Sequence, residues 1–180
     1  MPKSTPDPGN DDGHEREARI ETSSPPCFAH EMDPVYAGYM ARDEIIAFLN
    51  VLLEGERAGA KAAALLQSEA ASDDFRQAVH PVGVDEGRFC AMLSRHITRL
   101  GGTPSPTTGA FYGKFRAVAG LRARLAFLNR GQDWVVRKLN ETLPRIQDES
   151  LYADLREMRD VHVHNIERCT ALMAALPPTA

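Results

Sequence analysis

The fold is decided by the segment LNVLLEGERAGAKAA, residues 49–63. Its apolar positions recur every three or four residues, which places Leu49, Leu52 and Ala63 on one face of a helix. Glu56 stands on that same face, where a leucine would be expected. Because a buried polar group without a partner costs about 1–3 kcal/mol, Glu56 needs partners inside the protein. The segment therefore predicts a long amphipathic helix with a carboxylate in the core.

Three further stretches follow the same rule, and each has an apolar stripe that a polar residue interrupts near the middle. The second predicted helix carries Glu86, the third carries Gln132, and the fourth carries His162 and Asn165. Long helices with one apolar stripe bury that stripe against one another. The pattern predicts an all-α four-helix bundle in which these polar residues and Glu56 meet in one layer.

The breaks between the stretches predict the topology. The second helix should end at Gly101-Gly102, and the third should close at Pro144. The longest connection then lies between the second and third helices, as expected if one crossover joins two antiparallel hairpins. Residues 107–118 of this crossover should include a short helical piece. Ser72-Asp73-Asp74 should cap a short helix that runs to His80, and Pro81 and Gly83 predict a kink or a break before the second main helix.

Composition limits the classes of function. The chain has 180 residues, a formal charge of -4 and no long basic run, so we expect no nucleic-acid partner. No apolar run approaches the length of a membrane span, and the polar start lacks the apolar region of a signal peptide. Three cysteines, an odd number, favour a reducing compartment. We expect a cytoplasmic protein with no membrane partner.

The ends of the chain differ in character. Residues 1–33 are rich in Pro, Ser, Asp, Glu and Gly, which is typical of a disordered N-terminal tail, and residues 34–180 should form the bundle domain. Away from the apolar stripe, the first helix carries a row that we predict to be solvated: Asn50, Glu54, Arg57 and Lys61.

The polar layer resembles the ligand set of the ferritin-like di-iron and di-manganese bundles, in which two helices give a Glu each and two give Glu-x-x-His. The corresponding positions here are Glu56, Glu86-x-x-Phe89, Gln132 and His162-x-x-Asn165. The segments LEGER (53–57), DEGRF (85–89) and LGGTP (100–104) are similar to segments of that superfamily. The chain looks like an uncharacterised bacterial branch of it. The resemblance implies a ferritin-like up-down four-helix bundle with a crossover between helices 2 and 3.

The chain departs from the ligand pattern of that superfamily. Both Glu-x-x-His motifs are broken, so only two carboxylates and one histidine remain. These carry too little charge to neutralise two divalent ions and a bridging oxygen, so a full di-iron centre is not expected. The favoured interpretation is a structural one, in which a closed hydrogen-bonded network joins the whole layer: Glu56, Glu86, Gln132, His162 and Asn165.

Three alternatives to this structural network stay open, and with them the question of whether the protein is an enzyme. Glu56, Glu86 and His162 could together hold a single Fe, Mn or Zn ion, as in a metal-binding protein or oxidoreductase. The layer could instead line a small-molecule pocket, for which the small residues Gly59, Ala60 and Ala63 could make room. The bundle could also serve as an interaction or assembly module, such as a homodimer or the binder of an unknown partner protein. Such a module should expose an apolar patch, for instance around Phe111, Tyr112 and Phe115.

Overall fold

The computed structural model describes residues 38–70 and 72–176. Its helical elements are α1 (Arg42–Ser68), α2 (Asp73–Arg99), α3 (Phe111–Arg116), α4 (Leu121–Thr142), a 3-10 turn (Leu143–Arg145) and α5 (Glu149–Ala175). The four long helices are those predicted, and α3 is the short helical piece of the crossover. The tail predicted at residues 1–33 lies outside the described residues. None of the described helices combines the length and apolarity needed to cross a membrane.

Local chemistry fixes where the helices begin and end. The Ser72 side chain accepts a hydrogen bond from the Phe75 amide at 3.2 Å, and the Asp148 side chain accepts one from the Leu151 amide at 2.9 Å. Both are N-caps, which satisfy amides that the first turn of a helix leaves free. Gly101 follows α2 with φ of 81°, a left-handed conformation that glycine adopts without strain. These caps set the register of α2 and α5, the helices that carry Glu86 and His162.

The break expected near Pro81 and Gly83 does not occur, since α2 is continuous through both residues. Proline removes one intrahelical hydrogen bond, but the packing on either side of it compensates. Val79 and Val82 are fully buried. A Cβ at Gly83 would lie 3.4 Å from the Cβ of Ala63, so α2 lies close against α1 there. Tertiary packing therefore overrides the local preference.

The helices form two antiparallel hairpins, α1 with α2 and α4 with α5. The hairpins meet where α2 packs against α5. There His96 Nε2 lies 2.7 Å from Asp154 Oδ2, and Arg99 pairs with Asp148 at the same distance. Positions increase along α2 as they decrease along α5, so these two helices are antiparallel. Helices α2 and α4 consequently run in the same direction, and only a crossover can connect them, as predicted.

The apolar core forms two clusters, one in each half of the bundle. The first includes Leu52, Phe89 and Leu139, and the second includes Leu66 and Leu128. On every long helix at least one buried polar residue lies between the positions that belong to the two clusters. The buried polar residues at this level are Glu56, Glu86, Gln132, His162 and Asn165. The predicted polar layer is thus confirmed in its position at mid-bundle.

The outer face of α1 carries the crossover. Of the row predicted to be solvated, Asn50, Glu54 and Arg57 are half-buried, whereas Lys61 is exposed as predicted. The Asn50 Oδ1 atom accepts a hydrogen bond from the Ser105 amide at 2.6 Å, and Glu54 Oε1 accepts one from the Ser105 hydroxyl at 2.6 Å. The Arg57 guanidinium donates to the Ser105 carbonyl. Polar side chains at helical spacing suit water or a loop with unpaired backbone groups equally well. Spacing alone could not distinguish these two environments.

Replacing Asn50 with alanine should therefore destabilise the protein. Its side chain accepts a hydrogen bond from the Ser105 amide and donates one to the Thr103 carbonyl at 3.2 Å. Losing both contacts should lower the free energy of unfolding by about 1–3 kcal/mol in urea denaturation. Asn140→Ala is the control, because Asn140 is exposed and its side-chain oxygen lies 3.5 Å from the guanidinium of Arg159. Equal effects of the two substitutions would show that Asn50 does not hold the crossover.

Candidate metal site

Glu56 from α1, Glu86 from α2 and His162 from α5 meet in the middle of the bundle. Each offers one ligand atom, and these three atoms lie within 4.8 Å of one another. Glu56 is fully buried, and Glu86 and His162 are 3% and 2% exposed. His162 Nε2 is 3.3 Å from Glu56 Oε1. The structure thus brings together the three residues that the sequence suggested as ligands of one ion.

Gly59 makes room for the Glu86 carboxylate. A Cβ at position 59 would lie 2.7 Å from Glu86 Oε1 and closer still to Oε2. The carboxylate therefore rests directly on the α1 backbone, one turn beyond Glu56. The sequence suggested that Gly59 could make space for a pocket. In the structure, that space holds a candidate ligand.

The ring of His162 is oriented by its own helix. Its Nδ1 atom lies 2.9 Å from the Met158 carbonyl oxygen, which can only accept a hydrogen bond. In the neutral ring Nδ1 therefore carries the proton, and the lone pair of Nε2 is directed toward Glu56. Metal-binding histidines are commonly fixed by such a bond from their other nitrogen. Phe89 packs beside the ring, with 5.5 Å between the two centroids.

Burial disfavours the ionised forms of the two carboxyls of the site. Burial raises the pKa of Glu56 to about 8. Burial also raises the pKa of Glu86 well above its ordinary range, and the nearby charge of Glu56 adds to this effect. Among the described residues, no group donates a hydrogen bond to either oxygen of Glu56. The two carboxyls can be neutralised by a proton shared between them or by a metal ion.

The two amides of the layer, Asn165 and Gln132, make their hydrogen bonds to residues other than Glu56 and Glu86. Asn165 donates to Asp85 Oδ2 at 3.1 Å, and Gln132 Nε2 lies 4.0 Å from the sulfur of Cys169. The Gln132 oxygen is buried without a hydrogen-bond partner in the described part of the chain. The closed network expected from the sequence is therefore not formed. The sequence could not reveal that Asn165 reaches Asp85 and not its neighbour Glu86.

A cavity of about 460 Å³ borders the three candidate ligands and opens to the surface between α1, α3 and α4. The sequence did not predict where it opens. Small and aromatic residues form its wall, and two exposed cations stand at its mouth. These residues are Gly55, Phe111, Phe127, Trp134, Lys114 and Arg130.

The aromatic residues of the crossover cover the core and do not form an exposed patch. Phe115 is fully buried, and Phe111 and Tyr112 are partly buried. The ring of Phe111 lies 4.9 Å from that of Phe127 on α4. A Cβ at Gly131 would come within 2.7 Å of the Phe111 ring, so the ring lies against the α4 backbone. The patch expected of an interaction module is therefore not found at these residues.

Two antiparallel helix hairpins joined by a crossover form a ferritin-like fold. The chain belongs to the family described as Domain of unknown function (DUF6306), whose model matches residues 43–171. A similar solved structure is a ferritin-like, diiron-carboxylate protein from Bacillus anthracis strain Ames. The TM-score is 0.65 at 18% identity, over 74% of this chain and 99% of that chain. No curated protein matches the sequence significantly. The likeness confirms the ferritin-like fold.

Proposed function

We propose that the protein binds one divalent metal ion, iron, manganese or zinc, through Glu56, Glu86 and His162. The observation that carries this proposal is the buried Glu56 carboxylate, whose oxygens lack a hydrogen-bond donor and face an imidazole nitrogen. Two carboxylates and one imidazole form a donor set that suits these metals. Their two negative charges balance a single divalent ion, whereas two ions would leave a large uncompensated positive charge in the core.

Each neighbouring residue has a defined part in such a site. The Met158 carbonyl orients His162, and Gly59 lets the Glu86 carboxylate approach α1. Phe89 keeps water from one side of the imidazole, since its ring is buried against it. When bound, the metal would supply Lewis-acid or redox chemistry at positions that the three ligands leave open. The likeness to a diiron-carboxylate protein favours redox chemistry, and hence an oxidoreductase.

A structural role for the layer is the second candidate. The raised pKa values of Glu56 and Glu86 favour this role, because a protonated carboxyl can donate a hydrogen bond to the other carboxyl. In this case the protein needs no metal, and Glu56→Gln should be tolerated because an amide can replace the protonated carboxyl. The two candidates therefore differ in what they require at position 56.

Metal content decides between the two candidates. The purified, tag-free protein should contain about one equivalent of iron, manganese or zinc per chain after anaerobic reloading. The Glu56→Ala/Glu86→Ala variant should contain none while circular dichroism shows intact helices. The matched control, Asp133→Ala/Glu141→Ala, removes two exposed carboxylates from α4 and should keep its metal. A reloaded protein without metal would overturn the proposal.

A further inference from the structure

The cavity beside the candidate ligands is larger than ion binding requires. A volume of about 460 Å³ lies within the range of pockets that hold small organic molecules. Its wall is mainly apolar, and the rings of Phe111, Phe127 and Trp134 contribute to it. Aromatic walls favour a flat apolar guest, since rings prefer to pack against other rings. The cavity therefore has the size and lining of a binding site for an organic molecule.

The mouth of the cavity is positively charged. Lys114 and Arg130 line it, both are exposed, and neither forms an ion pair within the described part of the chain. The Arg130 guanidinium lies over the Phe127 ring, 4.9 Å from its centroid. Glu54 also borders the cavity, and its carboxylate, which accepts the hydrogen bond from Ser105, leaves one net positive charge among these three groups. Two cations are thus available to a negatively charged guest.

We propose that this cavity binds a small organic monoanion with an apolar, aromatic body. Lys114 and Arg130 hold the anionic group at the mouth, because they are the exposed cations among the residues that line the cavity. The apolar body then extends past Trp134 toward the metal ligands. This inference rests on the proposed metal function for its purpose, since the guest would be the molecule presented to the metal. The binding step itself requires no metal.

Trp134 provides a direct test, because it is the single tryptophan of the chain and lines the cavity. Its fluorescence is followed while the full-length protein, as purified and again after chelation, is titrated with phenylbutanoate or with neutral phenylbutanol. Phenylbutanoate should give a saturable change and bind about tenfold more tightly or better, as expected for one favourable charge interaction. Equal affinity for the acid and the alcohol, or no saturable change, would overturn the proposal.

Two variants and one control separate the contribution of the charges at the mouth from that of the cavity's apolar interior. Lys114→Gln/Arg130→Gln should abolish the preference for the acid, whereas Arg137→Gln/Lys138→Gln, which changes two exposed cations elsewhere on α4, should retain it. Gly55→Leu should occupy part of the cavity beside Trp134 and weaken the binding of both probes. A Cβ at Gly55 would lie 3.9 Å from Trp134, an ordinary contact, so this variant should fold. Unchanged binding in Gly55→Leu would overturn the proposal.

Metal content measured on the same samples distinguishes the two proposals. A protein that binds phenylbutanoate but no metal would support the cavity inference and overturn the metal site. A protein that binds metal but neither probe would overturn the cavity inference alone.

Discussion

Gly59→Ala should reduce metal affinity by on the order of 100-fold, although it removes no ligand atom. Removing groups that support a metal ligand typically costs about 10- to 100-fold in affinity, so this effect is at the upper end of that range. The added Cβ would lie within 2.7 Å of the Glu86 carboxylate, a distance that real Cβ atoms do not adopt. The carboxylate must therefore move away from α1 and from Glu56. Competition with a chelator of known affinity measures the effect.

The matched control for this substitution is Gly87→Ala, one residue from Glu86. A Cβ there meets nothing within 4 Å. Both glycines lie inside long helices, where alanine is favoured by about 1 kcal/mol. Gly87→Ala should therefore be more stable and keep its metal affinity. The pair of variants separates the effect of helix propensity from the effect of displacing the Glu86 carboxylate. Equal metal affinities in the two variants would contradict the position of Glu86 described above.

The metal-free protein should lose stability as the pH rises from about 4.5 to 8, the reverse of ordinary acid denaturation. The pKa of Glu56 rises from 4.5 to about 8 on burial. Over this range the unfolded chain has released a proton that the folded chain still holds, so raising the pH favours unfolding. Each pKa unit by which the folded and unfolded chains differ corresponds to about 1.4 kcal/mol of stability. The total loss in the free energy of unfolding should be on the order of a few kcal/mol.

The metal-loaded protein should show the opposite trend, because the ion binds the ionised carboxylates and competes with their protons. Urea denaturation across this pH range, with and without metal, measures both trends. Glu56→Gln/Glu86→Gln removes both titrating groups and gives the background from the rest of the chain. If the metal-free protein matched this variant at every pH, the two carboxyls would not titrate abnormally.

Much of the fold could be predicted because the spacing of apolar residues along a helix indicates which face of that helix is buried. Spacing by three and four residues placed Glu56, Glu86 and His162 inside the bundle, and the structure brings these three together. The glycines after α2 and the prolines that follow them marked the crossover. These signals are local, since each depends on the chemistry of a few consecutive residues.

The remaining features depend on contacts between distant segments, which no local pattern encodes. Asn165 could have reached either of two adjacent carboxyl groups, and only the rotation of α5 against α2 selects Asp85. The importance of Gly59 depends on a side chain from another helix. Likewise, Asn50 and Glu54 contact a loop more than 50 residues further along the chain.

The Phe89 ring has a stereochemical consequence. It is buried against His162 and does not line the cavity, so it covers a side of the imidazole remote from the opening. A molecule in the cavity would approach the three candidate ligands from the side on which the cavity lies. If Lys114 and Arg130 bind its charged group as proposed, its apolar body would be directed inward. If a guest is bound as proposed, we expect a reaction at this centre to favour one of the two faces of a prochiral substrate.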